Sequence, residues 1–270
     1  MSAFEHVEVD LKGEVGWLWL DRPDKGNALS ADMWADIPRA VAELADHDEV
    51  RVVVVGGRGE SFTVGIDLAM LTGLQSQGSS VAEQKRHLLG EIRRLQATMT
   101  SLADCPKPVI AAVHGYCLGA GMDLITACDI RLAAVDAVFS VRETKLALVA
   151  DVGTLQRLPG VVAAGHAAEL VYTGRDIDAA RAEKIGLVND VYPDVESLHG
   201  AAQGLGEEIA TNSPLAVQGS KSVMRAGEDL STAHALEHVA LWNTAFLHSN
   251  DLEEAMKAFV EKRPPDFTGT

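Results

Sequence analysis

Short apolar runs alternate with amphipathic segments over the first two-thirds of the chain. Residues 15–20, 51–57 and 108–113 are mostly apolar, and the second run contains four consecutive valines. Such runs predict strands, and β-branched residues without polar alternation indicate a strand buried on both faces. Weaker runs predict short strands at residues 130–133, 137–141 and 186–192.

Helical periodicity fills the segments between these strands. Ser30 is placed as the N-cap of a helix through residue 47, which Pro38 is expected to kink or divide. A polar stretch at residues 75–80 is expected to be mobile. Further helices are predicted at residues 81–102, 122–128, 151–158, 165–172 and 178–185.

From about residue 196 the pattern is only helical, with helices predicted at residues 197–211, 213–226, 231–248 and 251–262. Alternating strands and helices followed by helices alone predict an α/β core with a helical C-terminal part. We therefore divide the chain into residues 1–195, a core that holds the candidate site, and residues 196–270, a helical C-terminal region.

The composition narrows the possible partners. Hydrophobic residues make up 47% of the 270 residues, which suits a globular protein, and the formal net charge is −16. This charge argues against nucleic-acid binding through phosphate neutralisation. An anionic ligand would need a local basic patch or a helix N-terminus.

Nothing in the sequence indicates a metal, a membrane span or secretion. Cys105, Cys117 and Cys128 lack the spacing of a metal site, and we expect the last two to be small core residues. No apolar run reaches about 18 residues, the length that spans a bilayer. The first residues lack the pattern of a signal peptide. We therefore expect a cytoplasmic protein.

A glycine-rich turn, Gly119-Ala120-Gly121, follows a predicted strand and opens a helix. It is not a dinucleotide fingerprint, because Leu124 stands where the third glycine belongs. Its free N–H groups can stabilise negative charge on an oxygen, and a second donor could come from the turn at residues 64–66. Two such turns together would form an oxyanion hole, whereas one turn alone is more simply a tight strand–helix connection.

Three carboxylates lie among mostly apolar neighbours in the same part of the chain: Asp123, Glu143 and Asp151. Each has a structural alternative, as a helix-dipole partner, an ion-pair partner or an N-cap respectively. Asp151 is expected to be buried because apolar residues flank it. Carboxylates grouped in an apolar cleft suit general acid–base chemistry, because the environment can keep one charged and another protonated.

Five segments, in order, resemble the enoyl-CoA hydratase/isomerase (crotonase) superfamily. They are LDRPDKGNALS (20–30), FTVGIDLAML (62–71), HGYCLGAGMDLITACDIRLA (114–133), ADVGTLQRLP (150–159) and TGRDIDAARAEKIGLVNDVY (173–192). The resemblance implies an α/β fold built as a spiral of ββα units, with a helical C-terminal region that builds homotrimers, often paired into hexamers. It also implies an acyl-CoA thioester substrate.

Within the superfamily, two backbone N–H groups hold the enolate oxygen of the substrate. By matching, the donors would be Ile66 and Ala120, and Val64, Gly65 and Gly119 would shape the same two turns. Ala120 stands where the family usually has glycine, and an N–H donor survives that change if the backbone conformation does.

Hydratases of the superfamily carry two glutamates 20 residues apart, at the positions of Asp123 and Glu143. The shorter side chain at the first position, followed by Asp151, makes the chain similar to the Δ3,5-Δ2,4-dienoyl-CoA isomerase subfamily. That similarity implies a reaction without metal or added cofactor, in which Glu143 takes a proton from C2 and Asp151 gives one to C6. Asp123 would tune this pair or control water.

The resemblance also suggests where coenzyme A binds. Arg22 and Lys25 are candidates for its phosphates, and Phe259 and Lys262 match a family segment that approaches its nucleotide. Ordinary surface exposure explains all four equally well.

Three other functions stay open at this point. The first is an enoyl-CoA hydratase or another crotonase-type lyase. The second is a non-catalytic acyl-CoA binder, against which the grouped carboxylates argue. RNA binding occurs in one branch of the superfamily, but the net charge and the absence of a lysine-rich helix oppose it here.

Overall fold

The computed structural model describes residues 4–73, 79–228 and 230–270. Its strands form two sheets. The larger has the order β1-β2-β3-β4-β6-β9, with β1 antiparallel to β2 and every other pair parallel. The smaller has the order β5-β7-β8. The strands are β1 Val7–Lys12, β2 Val15–Leu20, β3 Val52–Gly57, β4 Val109–Val113, β5 Tyr116–Leu118, β6 Ile130–Ala134, β7 Val138–Ser140, β8 Ile177–Asp178 and β9 Asp190–Tyr192.

The centre of the larger sheet is buried on both faces, as its apolar runs predict. Every residue of β3 is buried between β2 and β4. Val53 and Val55 contribute to the core on one face, while Val52 and Val54 contribute to the core on the other. Successive side chains of a strand point to opposite faces, so an all-apolar strand fills both cores.

Helices cover both faces of this sheet. Ser30 caps the first of them by accepting a hydrogen bond from Met33 N at 3.3 Å, as predicted. The expectation that Pro38 could divide this helix is wrong, because the helix continues through it. The helices are α1 Ala31–Asp46, α2 Leu68–Gly73, α3 Val81–Asp104, α4 Ala120–Ala127, α5 Thr154–Val161, α6 Ala164–Thr173, α7 Ala179–Lys184, α8 Val195–Ala210, α9 Pro214–Glu228, α10 Thr232–Phe246 and α11 Asn250–Glu261.

In the part of the chain that the structure describes, four helices follow the last strand, in agreement with the helical pattern of the C-terminal part. The first, α8, packs on the sheet through Leu198 and Ala202. The division of the chain at residue 195 stays a prediction. Residues 75–78 of the polar stretch expected to be mobile lie outside the described residues.

The loops after three strands carry the candidate site. The loop after β3 holds the turn at residues 64–66, and β4 leads through β5 to Gly119 and α4. Glu143 follows β7 in a short 3₁₀ turn, Glu143–Leu146. Two isolated bridges, Leu29 with Ile66 and Thr63 with Cys117, tie these loops together. The fold thus gathers residues that are far apart in sequence.

Candidate active site

The turn at residues 64–66 is fastened to the segment before α1. Leu29 N donates to Gly65 O at 2.8 Å, and Asp67 N donates to Leu29 O at 3.1 Å. Arg22 Nη1 lies 2.6 Å from Asp67 Oδ2, and this pair lowers the pKa of Asp67. Arg22 therefore helps to hold this turn in place. Its predicted contact with a phosphate of coenzyme A stays a prediction.

Asn27 organises the same loop and was missed by the sequence analysis. It is fully buried at a φ of 54°, and its Nδ2 donates to Arg58 O at 2.8 Å and to Ser61 O at 2.7 Å. Thr63 Oγ1 donates to Asn27 O at 2.6 Å. Asparagine tolerates left-handed backbone better than most residues. The sequence signal that could have indicated this role is the pair Gly26-Asn27, shortly before the N-cap residue Ser30.

The two glycine turns lie against each other. A Cβ added at Gly65, whose φ is 98°, would lie 2.7 Å from Leu118 O and 3.5 Å from Ala120 N. Within the described residues, the N–H groups of Ile66 and Ala120 donate to no protein acceptor. Ala120 has no left-handed backbone, so alanine keeps this N–H in place. Two adjacent unpaired donors are the arrangement that an oxyanion hole requires.

Asp123 is fully buried in the first turn of α4. Its Oδ1 accepts a hydrogen bond from Thr154 N at 2.5 Å, and its Oδ2 has no partner among the described residues. Burial raises the pKa of Asp123 to about 6, although hydrogen bonding to Thr154 opposes the rise. A buried oxygen without a partner is costly unless a ligand or water completes it.

Glu143 lies beside the second glycine turn. Its Oε1 would be 3.2 Å from a Cβ at Gly119, whose φ is 52°. Its Oε2 is buried, also without a partner in the described part of the chain. Burial and the neighbouring Asp123 raise the pKa of Glu143 to about 7. A carboxylate with this pKa can take up and release a proton near neutral pH.

Asp151 differs from its prediction in two respects. It is exposed although Ala150 and Val152 beside it are buried, and α5 begins only at Thr154 with Gly153 as its N-cap. The chain bends at residues 152–153 just before α5, and its path leaves the carboxyl of Asp151 exposed while both neighbours are buried. Partial desolvation nevertheless raises the pKa of Asp151, against the effect of its own backbone N–H.

The three carboxylates share one site. Asp123 and Asp151 both raise the pKa of Glu143 by charge repulsion, and Asp151 does the same to Asp123. Asp123 and Thr154 share a hydrogen bond, Glu143 lies beside Gly119 at the start of the helix that holds Asp123, and each of the three has a side-chain oxygen without a partner among the described residues. A group of carboxylates with raised pKa values beside unpaired N–H donors can carry out proton transfer next to a developing oxyanion.

This arrangement lowers the stability of the fold above neutral pH. A pKa raised from 4.5 to about 7 corresponds to a penalty of about 3 kcal/mol once Glu143 is ionised. The penalty is absent well below pH 4.5, grows between pH 4.5 and about 7, and stays constant at higher pH. We expect Glu143→Gln to raise the unfolding free energy at pH 8 by up to about 3 kcal/mol, and hardly at all at pH 4.5. Urea unfolding at both pH values measures this, and an equal change at both would contradict it.

The candidate coenzyme A residues occupy two exposed segments. Lys25 ends a short 3₁₀ turn, Pro23–Lys25, next to Arg22. Phe259 is 84% exposed near the end of α11, and Lys262 follows as its left-handed C-cap. In the described part of the chain no hydrogen bond or ion pair joins the two segments. Their role in binding coenzyme A stays a prediction.

No group of three or more histidine, cysteine, aspartate or glutamate side chains among the described residues could hold a metal ion. No helix there combines the length and apolar composition needed to cross a membrane. The three cysteines are free and buried, which confirms the expectation that Cys117 and Cys128 are core residues.

The six-stranded sheet, the second small sheet and the paired glycine turns define a crotonase-type fold, as the sequence resemblance predicts. A solved structure titled as a putative enoyl-CoA hydratase from Streptomyces coelicolor A3(2) superimposes with a TM-score of 0.92 at 32% identity, covering 100% of this chain and 96% of that one. Residues 10–270 match the family described as Enoyl-CoA hydratase/isomerase. The chain belongs to this family.

Two curated relatives narrow the similarity to one group of enzymes within this family. The peroxisomal Delta(3,5)-Delta(2,4)-dienoyl-CoA isomerase of Arabidopsis thaliana is 41% identical over 99% of this chain and 98% of its own length. The mitochondrial protein of the same name from Dictyostelium discoideum is 43% identical over 94% of this chain and 87% of its own. These similarities confirm the predicted resemblance to that subfamily of enzymes.

Proposed function

We propose that this protein is an isomerase that converts 3,5-dienoyl-CoA thioesters to 2,4-dienoyl-CoA thioesters. The observation that carries the proposal is the coupled set Asp123, Glu143 and Asp151 beside two unpaired backbone donors. The names of the relatives support it. A hydratase would carry glutamate in place of Asp123.

In the first step the thioester oxygen lies between the N–H groups of Ile66 and Ala120. These donors stabilise the negative charge that develops on the oxygen when C2 loses a proton. One such donor contributes about 3–4 kcal/mol to transition-state stabilisation in other enzymes. Because both donors belong to rigid turns, no reorganisation is needed as the charge appears.

Two proton transfers complete the reaction. Glu143 takes a proton from C2, and the electron pair of that C–H bond moves along the conjugated chain. The 3,5 double bonds become 2,4 double bonds, and C6 accepts a proton from Asp151. No atom is added and nothing is oxidised. Glu143 then holds a proton and Asp151 lacks one. Asp151 is exposed and regains its proton from solvent. Glu143 releases its proton to solvent after the product leaves.

Asp123 changes the pKa of Glu143 without contacting the reacting carbons. Its shorter side chain is occupied at Oδ1 by Thr154 N, so it is poorly placed to activate a water as a second glutamate would. Its charge raises the pKa of Glu143. We expect no metal and no cofactor in this reaction beyond the coenzyme A of the substrate.

The proposal is tested by incubating the purified protein with a 3,5-dienoyl-CoA and recording the absorbance of the conjugated 2,4-dienoyl thioester. Hydration of a 2-enoyl-CoA is measured in parallel. Formation of the 2,4-dienoyl product without comparable hydration supports the isomerase. Hydration alone would make the protein a hydratase, and binding of acyl-CoA without turnover would make it a binder.

The contact between the glycine turns gives a separate prediction. We expect Gly65→Ala to lower kcat/KM by about 10²-fold or more, because the added Cβ would meet Leu118 O and displace the N–H of Ile66. Gly90→Ala is the matched control, since a Cβ there meets nothing. Circular dichroism verifies folding of both variants. Normal turnover by folded Gly65→Ala would exclude an oxyanion hole at this turn.

The proposal extends to assembly and location. Helix α10 has no buried residue in the single chain, and it exposes Leu236, Leu241 and Phe246. Exposed apolar helices of this kind are covered by partners, so we expect homotrimers or hexamers made of two trimers. Light scattering measures this. The cytoplasmic location stays a prediction, and the two relatives above carry peroxisomal and mitochondrial in their names.

A further inference from the structure

Arg157 is a half-buried cation close to the candidate site that the steps above do not use. It lies on α5, one turn after the residue that hydrogen bonds Asp123. Its Nη2 donates to Thr100 Oγ1 at 3.0 Å. No carboxylate of the described residues lies within ion-pair distance of it. Burying part of a charged guanidinium without an ion-pair partner costs folding free energy, so its placement here suggests a functional role.

The guanidinium lies directly on the turn that begins α5. Any Cβ at Gly153 would collide with Arg157 Nη1, and the φ of 137° at Gly153 also disfavours a side chain. Glycine at this position therefore makes room for the guanidinium. The next residue, Thr154, donates its N–H to Asp123 Oδ1 at 2.5 Å. Arg157 thus packs on the peptide segment that fixes Asp123.

Helix α3 holds the other end of the same segment. Gln96 Nε2 donates to Asp151 O at 2.6 Å, and Thr100 accepts from Arg157. Gln96 and Thr100 are four residues apart, so they lie on one face of α3. One face of α3 therefore anchors both Asp151, which is proposed to protonate C6, and Arg157.

Charge adds a second effect to this geometry. Burial and the neighbouring Arg225 lower the pKa of Arg157, yet arginine stays protonated in proteins. Arg225 is itself paired with Asp104 at 3.0 Å. The carboxylates of Asp123, Asp104 and Glu228 also act on Arg157. In return, the positive charge of Arg157 favours the ionised form of Asp123.

We propose that Arg157 is a positioning residue: anchored on Thr100, it holds in place the Asp151–Thr154 turn, whose Thr154 N–H donates to Asp123. The inference rests on the proposed isomerase function for its kinetic part. Its electrostatic part depends only on the structure, so the two can fail separately.

The test compares Arg157→Met, Arg157→Lys and the control Arg93→Met, which removes an exposed arginine of α3. We expect Arg157→Met to lower kcat by about 10- to 10²-fold with little change in KM, because a small displacement of a proton donor is costly. Arg157→Lys keeps the charge but loses the planar contact, so we expect part of the activity to return. Arg93→Met should behave as the wild type.

The electrostatic readout is the titration of Asp123 followed by carbon NMR of labelled aspartate carboxyls, assigned with Asp123→Asn. We expect the pKa of Asp123 to rise in Arg157→Met and to return towards the wild-type value in Arg157→Lys. An unchanged kcat in folded Arg157→Met would overturn the positioning role, and an unchanged Asp123 titration would overturn the electrostatic effect. If Arg157→Met does not fold, Thr100→Val tests the anchor alone and should lower kcat without changing the Asp123 titration. Failure of the wild type to isomerise would refute the proposed function and leave the NMR result standing.

Discussion

Asp151→Asn is expected to lose isomerisation while keeping the first half of the reaction. Asparagine has nearly the same shape as aspartate but no proton to give, so C6 cannot be protonated. We expect the rate of 2,4-dienoyl-CoA formation to fall by about 10²- to 10⁴-fold, the usual contribution of a general acid. Exchange of the C2 protons with solvent should continue, because Glu143 and the two N–H donors are untouched.

The control for this variant is Asp48→Asn, which changes an exposed aspartate in the turn between α1 and β3. It should retain full activity. Product formation is measured by absorbance and C2 exchange by proton NMR in D₂O. If Asp151→Asn isomerises as fast as the wild type, Asp151 is not the acid. If it also loses C2 exchange, it acts earlier than proposed.

Glu143→Gln is expected to abolish both isomerisation and C2 exchange. Glutamine cannot accept the C2 proton, so we expect both rates to fall by about 10²- to 10⁴-fold. The wild type should show the matching pH dependence. Glu143 works as a base only when ionised, and its pKa is about 7, so kcat/KM should fall as the pH drops below about 7.

Glu49→Gln is the matched control, because Glu49 is exposed in the same turn as Asp48. Rate measurements between pH 5 and 9 separate loss of the base from loss of folding, since Glu143→Gln should be the more stable protein at high pH. Persistent C2 exchange in Glu143→Gln would assign the base to another group. A pH profile that stays flat through pH 7 would contradict the base role as well.

Much of the core could be predicted from local pattern. The valine run of β3 and the serine cap of α1 have strong local signals, and the structure confirms both. Pro38 was expected to kink or divide α1, but the helix continues through it. The edge strand β1 and the two-residue strand β8 were missed. For β1 a local signal was available, because VEVDLK alternates apolar and polar residues and pairs with β2 across a two-residue turn. For β8 there was none, because two residues carry no periodicity and the strand is defined by its pairing with β7.

The site was predicted less completely than the core. The residues of both glycine turns and of the carboxylate set could be named, because glycine and acidic residues stand out in apolar segments. The burial and contacts of these side chains could not be predicted. Asp151 is exposed because of the path of the chain before α5, and Arg157 is placed by a contact with Thr100 on another helix. Such long-range contacts leave no periodic signal in the sequence.

The most direct test of the account is the position of deuterium in the product formed in D₂O from a 3,5-dienoyl-CoA. If Glu143 removes a C2 proton and the solvent-exchanged Asp151 protonates C6, the 2,4-dienoyl product carries a deuterium at C6, besides any that C2 exchange introduces at C2. Proton and deuterium NMR distinguish the two positions. A product without deuterium at C6 would contradict the account, because it would mean that one group carries the same proton from C2 to C6. Deuterium at C4 in a 2,5-dienoyl product would contradict the proposed position of the acid.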